Sequence, residues 1–225
     1  MCSKTDQTFV YFGGTFSPVH LGHIGLVEGL LQQKGVSKVV VVPTAQNPFK
    51  NQEGLLPAKL RLEMVEKVFA GMERVEVSDI ELCGPQPSFT VNSLEAVQAV
   101  YPLGTWRLAI GWDVFQQFHA WHKAERILDM AGLWIVRRAG SSPEELNPED
   151  LIRMLPESSR DALTIKAGRV VRLKDDAEVV RVMDLELPEI SSSEIREGEG
   201  LEQVPESVRD MLEVYWRNHK MVGEV

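Results

Sequence analysis

Short apolar runs alternate along the chain with segments whose apolar residues recur every three or four positions. TFVYF (8–12) is the first such run, and in the following HLGHIGLVEGLLQQKG the residues Ile24, Val27, Leu30 and Leu31 fall at helical spacing, with Gly35 closing the helix. KVVVVP (38–43) is apolar without interruption until its proline, as a strand covered on both faces of a parallel sheet would be. The pattern then repeats. LPAKLRLEMVEKVFAG predicts a helix with Pro57 near its first turn, RVEVSDIEL a strand, TVNSLEAVQAVY a helix, TWRLAIG a strand, WDVFQQF and HKAERIL short helices, and LWIVRR a fifth strand. This exchange of strand and helix predicts a doubly wound, mostly parallel α/β sheet with helices on both faces over the first 138 residues.

Residues 139–150, AGSSPEELNPED, are polar and turn-rich and read as a surface connection within one domain spanning 1–225. Beyond it the pattern predicts a helix or two over 149–164, strand-like GRVVRL and EVVRVMDLEL, then PEISSSEIRE and a last helix near 205–218. The stretch 139–188 is the least constrained, and 189–225 forms a small C-terminal helical part. Composition narrows the classes. With 44% hydrophobic and 25% charged residues, disordered and fibrous chains are excluded. A net charge of -9 argues against general affinity for nucleic acid or an anionic membrane, so phosphate binding has to be argued site by site. No apolar run approaches the roughly 20 residues of a membrane span, MCSKTDQ carries no signal-peptide core, and Cys2 and Cys83 make no disulfide framework. A cytoplasmic protein is expected, and nothing in the chain speaks against a homo-oligomer.

The candidate chemistry begins at residues 13–23, GGTFSPVHLGH, directly after the first strand. In an open α/β sheet ligands bind beyond the carboxyl ends of the strands, and the first strand-to-helix turn favours phosphates. Gly13 and Gly14 fall there, where glycine permits positive φ and close approach of a ligand, and where the next helix offers unpaired N–H groups. The spacing is neither Gly-x-Gly-x-x-Gly nor Gly-x4-Gly-Lys-Ser/Thr, and an ordinary tight turn also uses glycine. His20 and His23 add to the glycines. Three positions apart around a helix start, both rings can lie on one face and donate hydrogen bonds to a phosphoryl group during transfer, without either acting as a nucleophile.

GGTFSPVHLGH resembles the Gly-Gly-Thr-Phe-x-Pro-x-His-x-Gly-His signature of adenylyltransferases in the nucleotidylyltransferase superfamily. The ordered set of motifs, from Gly13 to the last helix, resembles the nicotinate-nucleotide adenylyltransferase family in particular. That resemblance implies a Rossmann-like fold with Gly13, Gly14, Thr15 and Phe16 in the ATP loop and His20 and His23 at the ATP phosphates. Ser17 stands where the family commonly has aspartate; both residue types order turns, so the loop geometry should tolerate it. ISSSEIRE (190–197) resembles the late Ile-Ser-Ser-Thr-x-x-Arg signature and implies Ser191, Ser192, Ser193 and Arg196 at the same phosphates. Ser191 and Glu194 also have the spacing of a helix capping box, and Arg196 read alone could be a solvated surface residue.

The resemblance further implies Lys50, in PTAQNPFK, at the mononucleotide phosphate, with Phe49 departing from the family's histidine. Thr90, in GPQPSFTVNSL, is implied at the nicotinate carboxylate, although the plainer reading is that Thr90 or Asn92 caps the helix that follows. Trp121, in IGWDVFQQFHAWHKAERIL, is implied as the stacking partner of the pyridine ring, against a plain core role. Asp113 is placed beyond a strand end to accept from a ribose hydroxyl. The implied reaction is in-line attack by the 5′-phosphate of nicotinate mononucleotide on the α-phosphorus of ATP, with Mg²⁺ on the triphosphate, few protein ligands to it and no protein nucleophile. Nicotinamide mononucleotide and phosphopantetheine are alternative acceptors. A structural zinc site drawn from His20/His23, His119/His122, Cys2 and Cys83 in a non-catalytic nucleotide-binding protein is the alternative of another class.

Overall fold

Strand β1 (Thr8–Gly14) sends Phe9 and Tyr11 into one hydrophobic layer and Val10 and Phe12 into the other, the period-two alternation that a strand imposes. β2 (Val36–Pro43) divides in the same way, Val40 and Val42 against Val39 and Val41. Its uninterrupted apolar run is therefore buried from both sides, as predicted. The computed structural model describes residues 7–45, 54–84, 86–137, 147–167, 169–175 and 177–220.

In chain order these residues form β1, α1 (Leu21–Leu31), β2, α2 (Ala58–Phe69), β3 (Val75–Val77), α3 (Ile80–Cys83), α4 (Thr90–Val100), β4 (Thr105–Gly111), α5 (Trp112–Phe115), α6 (Ala124–Met130) and β5 (Gly132–Arg137). α7 (Pro148–Arg153), α8 (Glu157–Arg160), β6 (Leu163–Lys166), β7 (Arg169–Arg172), β8 (Glu178–Asp184), α9 (Ser192–Glu197) and α10 (Glu206–Lys220) follow. One sheet holds the strands in the order β3-β2-β1-β4-β5-β8-β7-β6. Pairing is parallel from β3 across to β8, and β7 and β6 extend that edge as an antiparallel hairpin. Buried residues of α1, α2 and α10 cover one face, and those of α4, α6 and α7 the other. The strand order reverses between β1 and β4, which opens a crevice at their carboxyl ends.

Four local expectations are corrected. RVEVSDIEL is not one strand: β3 stops at Val77, and Ile80–Cys83 turns as a short helix that brings Glu81 inward, where it is 3% exposed. The helical reading of 149–164 holds for α7, which Asn147 caps by accepting from the Asp150 N–H at 2.9 Å, but Leu163 already belongs to β6. Gly35 lies beyond the end of α1, whose C-cap is Gln32, and takes a left-handed conformation (φ 85°) at the entry to β2. Neither Thr90 nor Asn92 caps α4; Thr90 is its first residue and Phe89 its N-cap, with no side-chain cap.

The segment from β8 to α9 crosses α1 directly on its backbone. A Cβ at Gly29 would lie 2.8 Å from Leu185 Cδ1, one at Gly25 3.2 Å from Leu187 Cδ2, and one at Gly22 3.8 Å from the Pro188 carbonyl oxygen. The spacing of these glycines gives α1 one side-chain-free stripe, on which the late part of the chain is seated.

Candidate functional site

Gly13 and Gly14 end β1 without positive φ. Their role is space. A Cβ on Gly13 would meet the Tyr11 ring at 2.9 Å, and one on Gly14 the Phe16 ring at 2.8 Å. Phe16 itself takes the left-handed conformation expected of a glycine (φ 49°), a placement that costs on the order of 1–3 kcal/mol and persists only where packing enforces it. The enforcing contacts are Phe12, edge-on at 5.5 Å, and His23, at 4.8 Å between ring centroids. Phe16 thus backs the second histidine from a site 1% exposed.

His20 is the N-cap of α1 and 2% exposed, and its ring centroid lies 3.8 Å from that of His23. The two imidazoles therefore stand side by side at the start of α1. The His20 backbone N–H donates to His23 Nδ1 at 3.2 Å, which leaves Nε2 to carry the proton of a neutral ring. Gly22 between them is close to the His20 ring: a Cβ there would stand 3.0 Å from Nδ1. We expect Gly22→Ala to push the buried His20 ring aside, so that the about 0.5–1 kcal/mol alanine gains in a helix is offset and the melting temperature does not rise, while steady-state kinetics show kcat reduced about threefold or more.

α9 joins this spot from far along the sequence. Ser191 accepts from the Glu194 N–H at 3.2 Å and Glu194 Oε2 accepts from the Ser191 N–H at 2.6 Å, the predicted capping box. Arg196 donates to the Ser17 carbonyl at 2.5 Å, to the Ser192 carbonyl at 3.1 Å and to Ser193 Oγ at 3.1 Å, and Ser192 Oγ donates to the Pro18 carbonyl at 2.9 Å. Arg196 is therefore tied to the histidine loop and is no solvated surface residue. Ser17, the departure from the family pattern, is fully buried and orders the turn by accepting from the Leu56 N–H at 2.9 Å.

A cavity of about 500 Å³ opens at the crevice between β1 and β4. Its walls include Gly13, Gly14, Thr15, Phe16, His20, His23, Asp113, Ser191, Ser192, Ser193 and Arg196 on the expected ATP side, and Thr90 and Trp121 on the expected mononucleotide side. Trp121 is half-buried against Phe118 at 5.4 Å, with surface left toward the cavity. Trp112, beside Asp113, is core. Lys50 lies outside the described residues.

Other residues were not read as part of this site from the sequence, His122 having entered only as a zinc-ligand alternative. Glu81, Tyr11 and the Phe89–His122 ring pair, with centroids 4.4 Å apart, stand on the expected mononucleotide side. Arg61, 2% exposed, donates to the carbonyls of Leu56 (3.0 Å), Thr15 (2.6 Å), Thr44 (2.8 Å) and Ala45 (3.3 Å). It holds the loops after β1 and β2 together behind the cavity. Burial presses its pKa down, and the Glu81 charge works in the opposite direction. A signal for Arg61 was present, since it falls on the apolar stripe of α2 with Met64, Val65 and Phe69; Glu81 carried none.

Two histidines at a helix start, an arginine from α9 bonded to their loop and a crevice at a strand-order reversal define a nucleotidyltransferase-type site on an α/β sheet. Residues 11–198 match the cytidylyltransferase-like family model. A relative from Maridesulfovibrio salexigens, described as "Probable nicotinate-nucleotide adenylyltransferase", is 32% identical over 92% of this chain and 98% of its own length. A relative of the same description from Trichlorobacter lovleyi is 34% identical over 82% and 84%. The solved nicotinic acid mononucleotide adenylyltransferase of Plasmodium falciparum complexed with NaAD has the same fold, with a TM-score of 0.60 and 15% identity over 85% of this chain and 83% of that one. This chain belongs to the cytidylyltransferase-like family and, within it, to the family of these nicotinate-nucleotide adenylyltransferase relatives. No helix among the described residues is long and apolar enough to cross a membrane, and none of their His, Cys, Asp and Glu side chains form a group of three or more that could hold a metal ion.

Proposed function

We propose that this chain transfers the adenylyl group of ATP to nicotinate mononucleotide, giving nicotinate adenine dinucleotide and pyrophosphate, a step of NAD biosynthesis. The observation that carries the reading is the convergence of His20, His23 and Arg196 on the Ser17–Pro18 loop beside one cavity, together with relatives of that description over nearly the full chain. An oxygen of the mononucleotide 5′-phosphate attacks the α-phosphorus, the bond to the bridging oxygen of the β-phosphate breaks, and pyrophosphate leaves with both electrons of that bond. The imidazole N–H groups and the Arg196 guanidinium hold the phosphoryl oxygens as charge moves onto the leaving group. Asp113 accepts from the adenosine ribose, the serines of α9 hold the phosphates, and Trp121 stacks on the pyridine. Lys50 neutralises the mononucleotide phosphate.

Mg²⁺ fits this site as an ion carried in on the triphosphate. Of the carboxylates among the described cavity residues, Glu81 is already engaged by three hydroxyls, and Asp113 stands alone with its Oδ1 2.6 Å from where a Cβ on Gly111 would be. The ion supplies neutralisation of phosphate charge. A cytoplasmic setting suits a chain with two cysteines and no disulfide framework.

The test is pyrophosphate release from ATP with nicotinate mononucleotide, nicotinamide mononucleotide or phosphopantetheine as acceptor. A kcat/KM for the nicotinate acceptor at least about tenfold above the others is expected, the scale of discrimination a few pocket contacts provide. A preference for the amide or for phosphopantetheine overturns the assignment.

A further inference from the structure

Glu81 is the one acidic side chain buried among the described residues. Burying a carboxylate is unfavourable unless partners replace its lost water, and here those partners are hydroxyls. Tyr11 Oη donates to Oε1 at 2.8 Å, Ser93 Oγ to the same oxygen at 2.9 Å, and Ser88 Oγ to Oε2 at 2.8 Å. The Glu81 main-chain carbonyl accepts from Gln86 Nε2 at 2.9 Å. Burial, reinforced by the neighbouring Glu81 charge, raises the Tyr11 pKa well above its usual value, so the phenol stays a donor.

The positions of these donors carry the inference. Tyr11 belongs to β1, and its ring lies against Gly13, where a Cβ would approach it to 2.9 Å. Ser88 immediately precedes Phe89 and Thr90, and Ser93 lies in the first turn of α4. One carboxylate thus fastens the strip 86–93 to the strand that ends in the phosphate loop. Phe89 in turn packs against the ring of His122, the neighbour of Trp121. Packing alone could secure this strip with apolar residues at less desolvation cost; directional hydrogen bonds from three elements also fix its distance from β1.

We propose that Glu81 is the positioning residue of the acceptor half of the site: through Ser88, Ser93 and Tyr11 it sets Phe89, Thr90 and the His122–Trp121 pair at the distance from the phosphate loop that the mononucleotide requires. This rests on the assignment of that half to the pyridine mononucleotide. It assigns Glu81 no contact with the reacting atoms.

Steady-state kinetics on Glu81→Leu, Glu81→Gln and Ser88→Ala test it, with KM determined separately for nicotinate mononucleotide and for ATP and with thermal melting of each variant. Loss of hydrogen bonds to a charged acceptor is expected to raise the mononucleotide KM about tenfold or more in Glu81→Leu. The ATP KM should stay within about twofold and kcat within about threefold, because the histidines and Arg196 are untouched. Gln keeps an acceptor oxygen for Tyr11 and Ser93, so Glu81→Gln and Ser88→Ala should show smaller rises, about threefold, on the mononucleotide KM alone. Should Glu81→Leu not fold, these two variants decide. An unchanged mononucleotide KM in both, or equal rises in both substrates' KM, overturns the positioning role. Absence of pyrophosphate release by the wild-type protein with nicotinate mononucleotide overturns instead the acceptor assignment beneath it.

Discussion

Alanine in place of His23 is expected to lower kcat for adenylyl transfer about 10²–10³-fold, the usual cost of deleting a preorganised donor to developing charge, and to leave the mononucleotide KM within about threefold. Alanine in place of His20 should do the same. The two rings stand 3.8 Å apart and on the proposed mechanism share one target, so the double variant should lose far less than the product of the single losses. The geometry also separates their supports. The His23 ring is fixed from behind by Phe16 at 4.8 Å and through Nδ1 by the His20 N–H; His20 is held as the buried N-cap of α1. His23→Asn, which can still present an N–H donor, should recover part of the loss where alanine cannot. Single-turnover measurement of dinucleotide formation reads the chemical step directly, and an unchanged rate in both alanine variants removes the histidines from the mechanism.

The second large effect is on stability. Arg61→Met removes the guanidinium donors to the Leu56, Thr15, Thr44 and Ala45 carbonyls. Leaving buried acceptors unpaired costs about 1–3 kcal/mol each; some will rehydrate at the cavity edge, and a net loss of about 3–5 kcal/mol is expected in urea unfolding. Arg61→Lys should recover less than half, because one ammonium cannot present the planar fork that spans two loops. An Arg61→Met protein that unfolds at the wild-type urea midpoint would show that the clamp contributes nothing.

Much of the sheet was legible because burial from both faces leaves an unmistakable apolar run, as in β2, and because α1, α2 and α4 keep a helical period. Local pattern gave out where tertiary demands rule. SDIEL alternates like a strand, yet the hydroxyls of Tyr11, Ser88 and Ser93 draw Glu81 inward from a helical turn. The helical reading of 149–164 ran into Leu163 and Thr164, the start of β6, because these residues gain their strand character only by pairing with β7. At the site, the residues of recognisable motifs, His20, His23, Ser191 and Arg196, line one cavity, and the capping box is present. Gly13 and Gly14 were placed correctly for a reason that needed correction, since neighbouring rings and not backbone angle demand them. The spacing of Arg61 on the apolar stripe of α2 marked it for burial but not the carbonyls it bonds, and Glu81 escaped notice because its hydroxyl partners lie in other elements.

The seat of the 185–188 segment on the glycine stripe of α1 has a consequence during biosynthesis. A nascent polypeptide emerging from the ribosome through Asp184 holds every strand of the sheet, yet lacks the serines and the guanidinium that reach back to residues 17 and 18. On the proposed mechanism, catalytic competence would therefore wait for this late segment to dock along a helix made near the beginning.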